Sequence, residues 1–104
     1  RHFNRKGEAF DVGETFAGVD FRTGVDAANS IQDLKPAGMT MPQFALRWIL
    51  MHDAVSTTIP GAKNPQQATD NAGAAEVADI SPDTMTQIKT IYDDNIREQV
   101  HHRW

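Results

Sequence analysis

The first regular hydrophobic pattern in the chain lies between residues 24 and 34, where apolar side chains recur about three residues apart. These positions are Val25, Ala28, Ile31 and Leu34. Such spacing places them on one face of a helix, and the proline that follows at position 36 cannot continue it. We therefore predict a first helix over about 24–34.

A second helix is predicted from about residue 41 to 51. At its start the Thr40 hydroxyl can accept a hydrogen bond from the Gln43 amide, while the Gln43 side chain can return to the Thr40 amide. Apolar residues occupy nearly every face of this helix and leave only Gln43 and Arg47 as a narrow polar seam. We expect so apolar a helix to be covered on almost every side.

Residues 54–59 have the pattern of a strand. β-Branched side chains stand at nearly every position, and Val55, Thr57 and Ile59 alternate with a serine and a threonine. A strand needs neighbours for its backbone donors and acceptors, and the sequence offers no second convincing strand. We predict one short strand that pairs either with residues outside this chain or with another copy of it.

Two more helices are predicted, over about 65–75 and 82–96. In the first of them Asn64 stands at the N-cap, Pro65 at the first helical position and Gln67 where a capping-box glutamine belongs. A serine and a proline open the second in a similar way. The predicted fold class is thus mainly α with one short strand.

Residues 1–24 show neither a helical nor a strand period. Four phenylalanines are interspersed with four glycines there, more aromatic residues than a solvated linker needs. We interpret this segment as a long loop or arm that docks on neighbouring apolar surface, with a lid over a substrate or cofactor as the alternative. Because the chain begins at Arg1 without a methionine, we expect it to be part of a longer protein.

Composition excludes several classes of function. The 104 residues carry 10 basic and 14 acidic side chains, a formal net charge of −4, so nucleic acid and anionic membranes are poor partners. The chain has no cysteine, which excludes disulfides, thiolate catalysis and zinc–sulfur sites and is compatible with a cytoplasmic location. It also shows no signal-peptide pattern and no long apolar run.

The candidate chemistry lies where the predicted strand gives way to the helix after it. Gly61 allows a ligand to approach the backbone, Lys63 adds a positive charge, and the first-turn amides of the helix attract an anion. Gln67, Asp70 and Asn71 project from one face of that helix and are suited to the edge of a heterocycle. These groups together predict a pocket for a phosphorylated nucleotide, although a lone lysine beside a capped helix is also common as a merely solvated feature.

The sequence of this junction resembles a known motif. Ile59-Pro60-Gly61-Ala62-Lys63, then Gln67, then Asp70-Asn71, is similar to the phosphate- and adenine-binding motif of the aldo-keto reductases, a family of NADPH-dependent (β/α)8 barrels. The sequences of residues 43–50, 80–82 and 100–104 also resemble the family. The resemblance implies that the chain is a C-terminal fragment of a (β/α)8 TIM barrel, with 25–104 as its αα-β-α-α segment and therefore an incomplete domain.

The resemblance also implies cofactor contacts for six residues. They are Gly61, Ala62, Lys63, Gln67, Asp70 and Asn71. The first three would bind the 2′-phosphate end of NADPH with help from the fourth, and the last two would contact the adenine. Other branches of the family have an arginine where this chain has Gln67, so the preference for NADPH over NADH stays open.

The family reduces aldehydes or ketones to alcohols with an Asp, Tyr, Lys and His tetrad on earlier parts of the barrel. The single tyrosine here, Tyr92, has apolar neighbours at helical spacing and is interpreted as a packing residue, so we expect no catalytic residue in this chain. His101 and His102 are interpreted as a packed tail, since two adjacent histidines make a weak metal site. The resemblance therefore implies a parent enzyme that is active and a fragment that is inactive alone.

A second hypothesis is a non-catalytic helical module that either binds nucleotide as a sensor or assembles through its uncovered faces. For the chain by itself we expect self-association, because the second helix and the unpaired strand leave apolar and hydrogen-bonding surface open. The expected partners of the parent are a nicotinamide dinucleotide and a small carbonyl compound.

Overall fold

The computed structural model describes residues 18–103, which form five α-helices and a final 3-10 turn and include no strand. The helices are α1 (Phe21–Asp33), α2 (Met41–Leu50), α3 (Pro65–Gly73), α4 (Pro82–Asn95) and α5 (Arg97–Val100), and the 3-10 turn is His101–Arg103. The chain divides into two compact units. One is Leu34–Gln87, and the other combines the described parts of Arg1–Asp33 and Ile88–Trp104.

In the unit Leu34–Gln87, α2 begins at the capping box that the sequence predicts. The Gln43 amide donates to Thr40 Oγ1 at 3.3 Å, and the Thr40 amide donates to Gln43 Oε1 at 3.0 Å. Two of the first-turn amides that a helix leaves without partners are thereby satisfied. The capping-box prediction is confirmed.

The core of this unit lies between α2 and the residues around the end of α3. Phe44, Ala74 and Ile80 are each only 1% exposed, and Met39 is buried with them. Burial of a large apolar side chain such as Phe44 stabilises a fold by about 1.5–3 kcal/mol. Removal of the Phe44 ring would therefore destabilise this unit.

The polar seam of α2 faces the same neighbours. Arg47 is largely buried, donates from Nη1 to the carbonyl oxygen of Ala75 at 3.3 Å, and forms an ion pair with Asp79. Gln43 donates from Nε2 to the carbonyl oxygen of Asp70 at 2.9 Å. The two polar side chains of an otherwise apolar helix thus bind backbone oxygens within and just after α3.

The predicted strand at residues 54–59 is wrong for the described structure. Residues 55–60 have no regular secondary structure, and the Val55 amide instead closes a turn onto the His52 carbonyl oxygen at 2.8 Å. A strand exists only when its backbone groups pair with those of a neighbour. No other described segment supplies that neighbour, so high β-propensity alone does not produce a strand here.

Two large apolar side chains of this unit are exposed. Trp48 on α2 is 37% exposed, with its ring edge-on to His52, and Ile59 is 93% exposed. The expectation that α2 is covered on almost every side is therefore not met among the described residues.

In the other unit, α1 begins at Phe21, three residues earlier than predicted. Asp20 accounts for this start, because its carboxylate accepts hydrogen bonds from both the amide and the hydroxyl of Thr23, at 2.9 and 3.0 Å. The bond from the Thr23 amide is the main reason that the pKa of Asp20 lies below its usual range. The predicted arm at 1–24 lies largely outside the described residues, and its last four residues belong to α1.

Helices α4 and α5 end this unit. Ala27, Ile88 and Val100 are its buried apolar residues, and the Asp20 amide donates to Gln99 Oε1 at 2.8 Å. The Tyr92 hydroxyl lies 3.0 Å from His101 Nδ1. Among residues 18–103, no helix is both long enough and apolar enough to span a membrane.

A pH dependence is expected at the end of α4. Asp93 accepts a hydrogen bond from Lys89 and another from Arg97, and the Lys89 bond is the main reason that the pKa of Asp93 lies below its usual range. A lowered folded pKa stabilises the helix above the pKa of an unfolded aspartate, about 3.9, and this stabilisation disappears as the pH falls through the folded value.

Urea unfolding followed by circular dichroism from about pH 6 to about pH 2 measures this effect. Asp93→Asn is expected to lower the urea concentration at the unfolding midpoint near about pH 6. It should also reduce the decrease of that midpoint as the pH falls toward about 2. Asp94→Asn is the control, since Asp94 is exposed and forms no ion pair with the described residues. Equal pH profiles for the wild type and Asp93→Asn would contradict the assignment.

Candidate functional site

The candidate site is the turn at residues 61–64 together with the first turns of α3. Asn64 has an extended backbone (φ −152°, ψ 164°), its Oδ1 accepts from the Gln67 amide at 2.9 Å, and Pro65 follows at the first helical position. The prediction of an Asn64 N-cap is confirmed. Because proline has no amide hydrogen, this start satisfies or removes two of the four amides that the helix would otherwise leave open.

The Gln67 side chain lies one residue further back than a capping box requires. Its Oε1 accepts from the Lys63 amide at 2.7 Å and not from that of Asn64. The predicted capping-box partner of Gln67 is therefore wrong, for a geometric reason: the side chain spans the whole first turn and reaches the residue before the cap. The consequence is a closed ring of contacts from Lys63 through Asn64 to Gln67.

A second side chain of α3 holds the other end of the turn. Asn71 donates from Nδ2 to the carbonyl oxygen of Gly61 at 3.1 Å. Gln67 and Asn71, four residues apart on one helical face, thus bind Lys63 and Gly61 respectively. The turn is preformed by two residues that the sequence analysis assigned to the cofactor.

The groups still open at the turn are fewer than expected. The amides of Lys63 and Gln67 are occupied, and among the described contacts the amides of Asn64 and Gln66 are the N-terminal donors of α3 that have no partner. The Lys63 ammonium is exposed and makes no hydrogen bond or ion pair within residues 18–103. A Cβ built on Gly61 would meet nothing within 4 Å, so open space adjoins the turn.

Asp70 lies one helical turn further along α3 and is held in two ways. Gln66 donates from Nε2 to Asp70 Oδ1 at 2.8 Å, and Gln43 donates to the Asp70 carbonyl oxygen. Its Oδ2 has no partner among the described residues. One oxygen of the Asp70 carboxylate can therefore still accept a hydrogen bond.

A groove of about 420 Å³ adjoins the turn within the same unit. Its lining combines Ala62 and Asn71 with apolar residues of α2 and α3 and with the segment 56–58; the α2 residues are Leu46 and Leu50. Small alanine side chains along α3 keep the groove open, while leucines supply apolar surface. From the sequence, Leu46 and Leu50 are predicted only as apolar residues of the second helix, because their position beside the turn depends on a contact between helices.

These contacts bring the six predicted residues together in one short span of chain. Gly61, Ala62 and Lys63 form the turn, and Gln67, Asp70 and Asn71 stand on the helix that follows. The arrangement can bind an anion through the Lys63 ammonium and the open peptide amides at the start of α3, and can accept a hydrogen bond at Asp70. Among the described residues, no group of three His, Cys, Asp or Glu side chains could hold a metal ion.

Comparison with known proteins identifies relatives of this chain. The model of the aldo/keto reductase family matches residues 2–93. A relative from Schizosaccharomyces pombe named "Putative voltage-gated potassium channel subunit beta" is 36% identical over 72 residues, which are 67% of this chain and 21% of the relative. The chain therefore spans about a fifth of the length of that relative. No solved structure matches significantly.

The closed turn predicts a protected amide at Lys63. Gln67→Ala removes the acceptor, so exchange of the Lys63 amide hydrogen with solvent is expected to accelerate about fivefold, the equivalent of one ordinary hydrogen bond. Amide hydrogen exchange followed by NMR measures this. Gln67→Glu keeps an acceptor oxygen and is expected to preserve the protection, while the Gln66 amide should exchange rapidly in all three proteins. Equal Lys63 exchange in the wild type and Gln67→Ala would show that the contact does not persist in solution.

Proposed function

The chain belongs to the aldo/keto reductase family, and on that premise we propose that it is the NADPH-binding, C-terminal portion of an enzyme that reduces aldehydes or ketones to alcohols. Family membership indicates oxidoreductase chemistry. We further propose that the parent protein is a (β/α)8 barrel, that its cofactor is NADPH and that its substrates are aldehydes or ketones. In the complete barrel, residues 54–59 would become its eighth strand, because neighbouring strands would then supply the pairing that the described residues lack.

The observation that carries the proposal is a preformed turn that has an unpartnered ammonium and unpartnered peptide amides within four residues of chain. Lys63 supplies the ammonium, Asn64 and Gln66 supply the amides, and Gly61 leaves space for an anion to approach. A phosphate monoester matches this donor set, since charge-assisted hydrogen bonds from an ammonium and from a helix N-terminus both favour it.

The six site residues have separate proposed roles. Lys63 binds the 2′-phosphate, with the backbone of Gly61 and Ala62 against the same end of the cofactor. Gln67 acts by holding the Lys63 amide in place, so it shapes the phosphate site without adding charge. Asp70 and Asn71 contact the adenine. NADPH, when bound, supplies the hydride for carbonyl reduction, and the residues of this chain serve only to bind and orient it.

The 104 residues alone are proposed to be inactive. The Asp, Tyr, Lys and His tetrad of the family would come from preceding parts of the parent polypeptide, and Tyr92 is already engaged with His101 at 3.0 Å. Absence of NADPH oxidation by the isolated chain in the presence of an aldehyde is the expected result, and measurable turnover would refute this part of the proposal.

A nucleotide-sensing or interaction module is the second candidate function. The specific observation in its favour is that a relative of this chain carries the name of a channel subunit, which suggests that a member of the family can act within a larger assembly. The longest natural polypeptide that contains these residues separates the two functions: carbonyl-dependent NADPH oxidation supports the enzyme, and tight NADPH binding without oxidation of a panel of aldehydes and ketones supports the sensor.

Lys63→Met in that polypeptide tests the phosphate role. Loss of one charge-assisted contact to the 2′-phosphate is expected to weaken NADPH binding about tenfold and to leave NADH binding nearly unchanged. Fluorescence titration with each cofactor measures both affinities. Lys89→Met, which removes the same charge from an exposed lysine of α4, is the control and should alter neither. Unchanged NADPH affinity in Lys63→Met would remove the phosphate role.

The isolated chain is proposed to self-associate through its exposed apolar surface. Ile59 is 93% exposed and Trp48 37% exposed, and residues 55–60 leave backbone groups available for pairing. Size-exclusion chromatography with light scattering is expected to give a mass above the 11.5 kDa of one chain. Ile59→Lys should lower that mass, while Ser56→Lys adds the same charge to an exposed polar position and should not. A stable 11.5 kDa species would contradict the proposal.

A further inference from the structure

We propose that Gln43 of α2 is a positioning residue that holds Asp70 in place to distinguish adenine from other purines. The inference rests on the proposed function, in which Asp70 contacts the adenine of the cofactor. Gln43 lies 27 positions before Asp70 in the sequence and does not itself belong to the six candidate cofactor residues.

The Gln43 side-chain amide is held at both of its polar atoms. Oε1 accepts from the Thr40 amide at 3.0 Å, and Nε2 donates to the Asp70 carbonyl oxygen at 2.9 Å. The capping box therefore does more than start α2, since it also fixes the orientation of the amide group. An amide constrained in this way presents its N–H to α3 in one direction only.

The carbonyl oxygen that Gln43 binds is one that the helix itself leaves open. The Ala74 amide, which would bond to Asp70 in a continuing α-helix, instead bonds to the carbonyl oxygens of Asn71 and Ala72. Tightening of the last turn thus frees the Asp70 oxygen, as happens commonly at helix C-termini. Gln43 supplies the donor that this oxygen lacks.

Gly73 provides the space for the contact. A Cβ built on this last residue of α3 would lie 3.1 Å from Gln43 Nε2, closer than a carbon normally approaches. Glycine has φ below zero here, so its conformation could be adopted by any residue. A methyl group at position 73 would therefore press on the Gln43 amide.

The result is that Asp70 is fixed from two sides. Gln43 anchors its backbone, and Gln66 binds its Oδ1 at 2.8 Å, which leaves Oδ2 to accept an external hydrogen bond. An ionised carboxylate oxygen only accepts, so it favours a purine with an amino group at position 6 over one with a carbonyl there. Correct placement of Oδ2 is what converts this preference into discrimination.

The test uses the longest natural polypeptide that contains these residues and two reduced cofactors. NADPH carries adenine, and deamino-NADPH carries hypoxanthine, whose position 6 is a carbonyl. Fluorescence titration gives the dissociation constant of each cofactor, and the quantity compared is the constant for deamino-NADPH divided by that for NADPH. The wild type is expected to favour NADPH, so that this ratio exceeds one. Gln43→Glu keeps the acceptor for Thr40 but replaces the Nε2 donor with an oxygen, so the ratio is expected to fall by about three- to tenfold.

Thr40→Ala is the matched control. It removes the Oγ1 acceptor of the Gln43 backbone amide and weakens α2, but it leaves the bond from Gln43 to Asp70 possible. Its cofactor ratio should equal that of the wild type even when its melting temperature falls. A role of Gln43 in stability alone would instead lower the melting temperatures of both variants and leave both ratios unchanged, which would overturn the proposal.

Two more variants complete the design. Gly73→Ala pushes on the same amide from α3 and should lower the ratio in the same direction, so the proposal stays testable if Gln43→Glu fails to fold. Asp70→Ala should abolish the discrimination. If it does so while Gln43→Glu and Gly73→Ala keep the wild-type ratio, the positioning role is overturned and the cofactor assignment survives. If Asp70→Ala itself keeps the ratio and the affinity, the proposed role of Asp70 in cofactor binding fails.

Discussion

The structure around the candidate site depends on how the backbone oxygens at the end of α3 find hydrogen-bond donors. A helix of nine residues has few internal bonds, and its last carbonyl groups have none. Here an otherwise apolar helix supplies the donors from its two polar positions, Gln43 and Arg47. These two contacts join α2 to residues within and just after α3, and they therefore limit the distance and rotation of α3 against α2. The core residues between them then pack in the space that remains.

At the opposite end of α3, the preceding turn reduces the number of backbone amides without hydrogen-bond partners. Asn64 accepts from one open amide, Pro65 removes another, and Gln67 reaches back to the Lys63 amide. Asn71 binds the Gly61 carbonyl oxygen. Each of these contacts reduces the number of donors available to a ligand and also reduces the entropy that a ligand must remove on binding. The site therefore presents few contacts, but they are preorganised.

The sequence predicts those parts of the structure that depend on neighbouring residues. The Thr40 capping box and the Asn64 N-cap are correct because they involve side chains and amides three residues apart. Helix α1 begins three residues before the predicted start because Asp20 caps it through Thr23, while the hydrophobic pattern that predicts the helix begins only at Val25. The strand at 54–59 is wrong because pairing depends on a neighbour that no local pattern reveals.

The candidate site, too, can be predicted from the sequence only where it depends on neighbouring residues or on the family motif. The family resemblance selects the six residues, and composition cannot say that Gln67 and Asn71 bind the turn itself. The contact of Gln43 with Asp70 joins residues 27 positions apart. One signal for it does exist in the sequence: a polar pair four residues apart on a helix with apolar residues on nearly every other face. Such a pair is buried only when it has partners, so its presence indicates acceptors on the element packed against it.

The turn does not need a sheet to adopt its conformation. Its two stabilising contacts join residues four and ten positions apart, and neither involves the segment 55–59. A strand formed by that segment would determine where the turn lies in a barrel, while the shape of the turn comes from α3. Since Gln67 carries no charge, the shape and the charge of the candidate site have separate origins: α3 determines the first, and Lys63 supplies the second. Under the proposed function, a substitution at position 63 would change the charge that the cofactor meets and would leave the turn in place.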